Sequence, residues 1–84
     1  MPRYFFDTYD GERFFRDEEG LELDGLEAAR REARRALPDM ASDHLPEGDQ
    51  RVFIVSVRTE AGQPVLRVAL SLVVEDLSEA PAES

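Results

Sequence analysis

Arg51 to Glu75 reads RVFIVSVRTEAGQPVLRVALSLVVE, and this stretch decides the fold. Apolar residues recur at alternate positions on both sides of a break at Glu60-Ala61-Gly62-Gln63, the pattern of two half-buried strands joined by a tight turn. With Ala61-Gly62 as the loop, Val57 opposes Leu66, Val55 opposes Val68 and Phe53 opposes Leu70. That face is wholly apolar and continues through Leu72 and Val74, so a helix is expected to meet it. The opposite face is mixed: Val52, Ile54, Val65, Ala69 and Val73 stand beside Ser56, Arg58, Arg67 and Ser71.

A second hairpin lies at the other end of the chain. Arg3 to Tyr9 is an aromatic-rich strand, Glu12 to Arg16 is its partner, and Asp10-Gly11 between them is a strong turn signal because type I′ turns need positive φ. That loop sets Phe6 opposite Phe15, Asp7 opposite Phe14 and Thr8 opposite Arg13. Tyr4, Phe6 and Phe15 then share one face, while Phe5 and Phe14 fall on the other.

Between the hairpins, Asp24 is expected to cap a helix, with Glu27 three residues on as in a capping box. Leu26, Ala29, Ala33, Ala36, Leu37, Met40 and Ala41 form an apolar stripe, and Arg30, Arg31, Arg34 and Arg35 lie off it. Pro38 lacks the N–H that would bond the Arg34 carbonyl. A kink is expected there, or a stop followed by a short helix to about residue 45, with Pro46-Glu47-Gly48-Asp49 ending the segment.

These elements predict an α+β domain over residues 1–76: two β-hairpins joined by one helix (ββαββ), a four-stranded, mainly antiparallel sheet, and the helix on one face. The first and last strands, being the most apolar, are expected at the centre. The expected core is Tyr4, Phe6, Phe15, Leu26, Ala29, Ala33, Leu37, Met40, Phe53, Val55, Val57, Leu66, Val68, Leu70 and Leu72. Residues 77–84 read as a disordered acidic tail.

At 84 residues and 42 % hydrophobic content, one thin core is all the chain can build, so an interface would add usefully to its stability. There is no cysteine, which excludes disulfides, thiolate metal sites and a cysteine nucleophile. No signal peptide or membrane-spanning run is evident, and the cytoplasm is the expected location. The net charge of −9 opposes non-specific binding to nucleic acid or an anionic membrane. All ten basic residues are arginine.

Few residues invite chemistry. His44 is the sole histidine, and near a helix C-terminus it suits the last carbonyls better than catalysis. Asp7, Asp10, Asp17, Glu18, Glu19 and Asp24 are abundant acids, but Asp17-Glu18-Glu19-Gly20 fails the calcium-loop pattern. The helix arginines are spaced for pairing with Glu27 (Arg31), and with Glu32 and Asp39 (both Arg35). No catalytic residue, metal site or cofactor follows, and the protein is expected not to be an enzyme.

Arg3-Tyr4-Phe5-Phe6-Asp7, Asp17-x-Glu19-Gly20-x-x-Leu23, Ala28-Ala29-x-x-Glu32-Ala33 and Glu60-x-Gly62-x-Pro64-Val65 together resemble a group of short alphaproteobacterial proteins catalogued only as a domain of unknown function. The resemblance covers about residues 1–75. Pro38 and Thr59 depart from it, where alanine and an acid are expected. It implies a bacterial, intracellular protein and brings no activity, cofactor or catalytic residue.

The outer sheet face carries the functional expectation. Phe5, Phe14, Val52, Ile54 and Ala69 point away from the helix, with Arg16, Arg58 and Arg67 among them, and an apolar patch of this kind marks a contact surface. The expected function is a small interaction module that self-associates as a homodimer through this face, with Arg16, Arg58 and Arg67 meeting Asp7 or Glu12 of the other subunit. An unknown protein partner is a competing occupant. The alternative is single-stranded nucleic-acid binding through Phe5, Phe14 and the sheet-face arginines.

Overall fold

The computed structural model of the protein describes residues 1–43 and 49–79. Strands β1 (Arg3–Tyr9), β2 (Phe14–Phe15) and β3 (Leu21–Glu22) precede the helix α1 (Leu26–Asp43), and β4 (Gln50–Thr59) and β5 (Pro64–Val73) follow it. They form one antiparallel sheet in the order β2-β1-β4-β5, with β3 also pairing β1. The class is therefore α+β with one helix and an antiparallel sheet, and the short β3 is an addition to the expected four strands. β4, not the last strand, is central with β1, and β5 lies at the edge. Apolar content misplaced β5 because many of its apolar side chains are exposed.

The β4–β5 pairing matches the expected register at Val57↔Leu66, Val55↔Val68 and Phe53↔Leu70. The turn is built differently. Gly62 N–H bonds the Thr59 carbonyl at 2.8 Å and Thr59 N–H bonds the Gln63 carbonyl at 2.9 Å, so the loop holds three residues, Glu60 to Gly62. Gly62 has φ +87°, the left-handed residue that closes such a loop. A register shift between Val57 and Arg58 absorbs the extra residue and restores the register beyond it.

In the first hairpin Thr8 pairs with Phe15 and Tyr9 with Phe14, two residues away from the expected register. Asp10 N–H bonds the Arg13 carbonyl at 3.2 Å, so Gly11 and Glu12 form the loop. The cause is the Asp10 side chain, whose Oδ1 accepts the N–H groups of Glu12 (2.9 Å) and Arg13 (2.8 Å). Gly11 (φ +97°) takes the first loop position, and a Cβ there would strike the Arg51 side chain. A shift of two leaves the faces unchanged. The partner strand is only Phe14–Phe15, shorter than the expected Glu12 to Arg16.

Gly25, rather than Asp24, supplies the carbonyl that accepts the first helical bond, from Ala29 N–H at 3.1 Å. α1 continues through Pro38 to Asp43. Glu27 lies 3.6 Å from Arg30, not Arg31, and Glu32 lies 3.8 Å from Arg35. Ala29, Ala33 and Leu37 close over Phe53, Val55 and Val57, with Tyr4, Phe6, Met40, Leu66 and Val68 packed around them. Each fully buried valine or phenylalanine contributes about 1.5–3 kcal/mol.

Four residues expected in the core are exposed: Phe15 (51 %), Leu26 (43 %), Leu70 (41 %) and Leu72 (37 %). A helix about 10 Å across covers roughly two strands spaced 4.8 Å apart. Here it packs chiefly on β4 and less on β5, so β2 and the far end of β5 lie beyond its reach. Of the expected tail, Leu77–Glu79 form one 3₁₀ turn, with Asp76 Oδ1 accepting from Ser78 N–H (3.1 Å) and Oγ–H (2.6 Å). His44, the Pro46-Glu47-Gly48 segment and residues 80–84 lie outside the described residues.

Candidate interaction surface

The outer face of β1 and β4 carries a closed polar cluster. Asp7, 8 % exposed, stands opposite Ser56, and Phe5 stands opposite Arg58. Arg58 Nε donates to Asp7 Oδ2 at 2.9 Å, and its Nη2 donates to Asp7 Oδ1 at 3.3 Å and to the Asp17 carbonyl at 2.7 Å. Asp17 N–H donates to Asp7 Oδ1 at 2.9 Å. The Arg58 guanidinium also lies 4.6 Å over the Phe5 ring, a cation–π contact.

Asp17 occupies the gap between β2 and β3 along the edge of β1. Its Oδ2 accepts Phe6 N–H at 3.0 Å, standing in for a missing strand carbonyl, and its Oδ1 accepts the N–H groups of Glu19 (3.0 Å) and Gly20 (3.1 Å). Burial pushes the Asp7 carboxyl up, but the hydrogen bonds from Arg58 and Asp17 and the charges of Arg58 and Arg16 outweigh it and hold the group below its ordinary value. Burial also pushes Asp17 up, and the N–H groups of Phe6, Gly20 and Glu19 with the Arg58 charge reverse the sign. The hydrogen bond that Arg58 donates to Asp7 is the largest of the effects that raise Arg58.

Asp10, 5 % exposed, anchors the other end. Arg51 Nε donates to the Asp10 carbonyl, and Arg51 Nη2 lies 3.9 Å from Asp10 Oδ1. Arg51 also sits 5.5 Å over the Phe53 ring. In the sequence Asp7 and Asp10 stood out only as members of an abundant acidic set, Asp7 also as a partner for an arginine of a second subunit. The available signal was an acid flanked by aromatics inside a strand, which calls for a buried cation.

The structure divides the expected contact residues. Phe5 and Arg58 are engaged with each other, and Arg58 meets Asp7 of its own chain. Arg16 lies 3.9 Å from Glu18 and is exposed. Val52 and Ile54 are half-buried, while Ala69, Arg67 and Phe14 (62 %) are exposed. A second apolar surface was missed: Leu70 and Leu72 on the helix side join Val73 (58 %) on the outer side and Val74 (50 %). The end of β5 is thus uncovered on both faces. A groove of about 750 Å³ runs between α1 and β1, with Phe6, Thr8, Ala36 and Pro38 among its lining.

Asp17, the first residue of the acidic loop, spends its carboxylate on main-chain N–H groups. Among the described residues no three His, Cys, Asp or Glu gather as a metal site. Among them, too, no helix is long and apolar enough to cross a membrane.

A one-helix antiparallel sheet with a saturated polar clasp and a bare apolar edge defines a small α+β module. The family model described as "Domain of unknown function (DUF6894)" matches residues 3–71, and the chain belongs to that family. No curated protein and no solved structure matches it.

Proposed function

We propose that the protein is a non-enzymatic cytoplasmic interaction module that associates with a second copy of itself through the β5 side of its sheet. The observation that carries this is the exposure of Leu70 (41 %), Leu72 (37 %), Val73 (58 %) and Val74 (50 %) at one end of an edge strand. These side chains continue into Ala69, Ile54 and Val52 of the outer face. A domain with six buried core residues among those described gains stability from any further burial, at roughly 25 cal/mol per Å². The absence of cysteine suits a reducing compartment.

Light scattering on the purified protein at micromolar concentration tests the proposal. A dimer mass is expected. A monomer mass unchanged by tenfold concentration overturns it.

A further inference from the structure

We propose that two copies join by antiparallel pairing of their β5 edges about a two-fold axis at Ser71, so that Arg67 of each lies opposite Glu75 of the other. This geometry rests on the self-association proposed above and gives it a definite interface. It follows first from where the main-chain groups point. Val74 N–H bonds the Asp49 carbonyl at 2.7 Å, and the two residues are directly opposed in the register that pairs Gln50 with Val73. Bonded and non-bonded pairs alternate in an antiparallel ladder, so the even-numbered residues from Leu66 to Val74 bond towards β4. The N–H and C=O groups of Arg67, Ala69, Ser71 and Val73 therefore point outward from the sheet.

Natural sheets shield such edges with charges, prolines, bulges or short strands. β5 has ten residues, its one proline and its bulge lie at the turn end, and Arg67 is its single charge. Every residue from Ala69 to Ser78 is exposed. The unshielded half is the apolar half.

Charge selects the register. In a two-fold pairing each residue opposes its own reflection through the axis. An axis at Arg67 sets two guanidiniums together, which is unfavourable. An axis at Ser71 opposes Arg67 to Glu75 and Ala69 to Val73 on the outer face, and Leu70 to Leu72 and Val68 to Val74 on the helix face. Each exposed apolar side chain gains an apolar neighbour. The only two charges between residues 64 and 75 meet as opposite signs, twice by symmetry. Neither has an ion-pair partner among the described residues of its own chain. The ladder adds roughly ten main-chain hydrogen bonds, two for each bonded pair.

Sedimentation velocity on the full chain at micromolar concentration tests this geometry. Wild type is expected to run as a dimer. Ser71→Pro deletes an outward N–H without touching the β4 ladder, and is expected to run as a monomer with an unchanged far-UV circular dichroism spectrum. Arg67→Glu and Glu75→Arg each set like charges opposite one another and are expected to weaken association about tenfold. The double variant, or an equimolar mixture of the two single variants, is expected to recover it. Recovery requires a folded protein, so it decides the matter even if Ser71→Pro fails to fold. A monomeric wild type overturns self-association itself. A wild-type dimer that is indifferent to both charge exchanges overturns the edge geometry alone.

Discussion

Arg58 holds Asp7 through two hydrogen bonds, Nε to Oδ2 at 2.9 Å and Nη2 to Oδ1 at 3.3 Å, across the boundary between β4 and β1. The same carboxylate accepts the Asp17 N–H, so one aspartate joins two strands and a loop. Asp7→Ala strands a nearly buried guanidinium and an amide together. The expected cost is about 2–4 kcal/mol, which for a domain of this size lowers Tm by more than roughly 10 °C. Thermal melts followed by circular dichroism measure it, and an unchanged Tm would show that the clasp does not hold the fold.

Acid should weaken the same cluster. Asp7 and Asp17 are both held below the ordinary aspartate value of 3.8 in the folded state. Between that folded value and the unfolded one, the unfolded chain binds more protons, so stability rises with pH there. Their contribution is complete above about pH 5 and is lost as pH falls through 4 and below. Urea unfolding at pH 7, 5, 4 and 3 is expected to give a flat upper limb and a falling lower one. Asp7→Asn and Asp17→Asn together should make the lower limb shallower, and an equal slope in that variant would assign the acid sensitivity elsewhere.

The clasp and the two-strand periodicity differ sharply in how far the sequence reveals them. Alternation along Phe53, Val55 and Val57 against Leu66, Val68 and Leu70 fixes faces and register, because a one-residue slip would expose every core side chain. That parity also survived the two-residue error at Asp10-Gly11, since an even shift leaves Phe14 outside and Phe15 on the helix side. Asp7, Asp17 and Arg58 are far apart in sequence, and only the folded sheet brings them together. Strand order and helix coverage were equally hidden. They depend on α1 seating over β4, which leaves Leu70 and Leu72 bare although their pattern is that of a core strand. The parity that puts Phe14, Val52, Ile54 and Ala69 on the outer face was legible, whereas the exposed edge beside them was not.

Burial therefore separates two truncations that look alike in the sequence. Val55 is fully buried under Ala29, Ala33 and Leu37, and Val55→Ala is expected to cost about 2–3 kcal/mol. Leu70→Ala removes a side chain that is 41 % exposed and should cost under about 1.5 kcal/mol in the monomer. Denaturant titrations under dilute conditions compare the two. Equal losses would mean that Leu70 is covered in the isolated chain.

Pro38 offers a change in the opposite direction. It lies within α1, five residues before the helix ends at Asp43, and its side is exposed. Without an N–H it leaves the Arg34 carbonyl unbonded within the helix, and its ring crowds the preceding turn. Leu37 next to it is buried on the sheet, and that packing carries α1 through the defect. Alanine at 38 restores the bond, relieves the crowding and adds no bulk to the groove beside β1. Host scales place proline about 3 kcal/mol below alanine in a helix interior. Pro38 lies within the last two turns of α1 rather than at its centre, so Pro38→Ala is expected to stabilise by roughly 1–2 kcal/mol. The Tm should rise by several degrees, with far-UV circular dichroism at 222 nm showing slightly more helix. A lower Tm would mean that Pro38 itself is needed to align Leu37 and Met40 with the sheet.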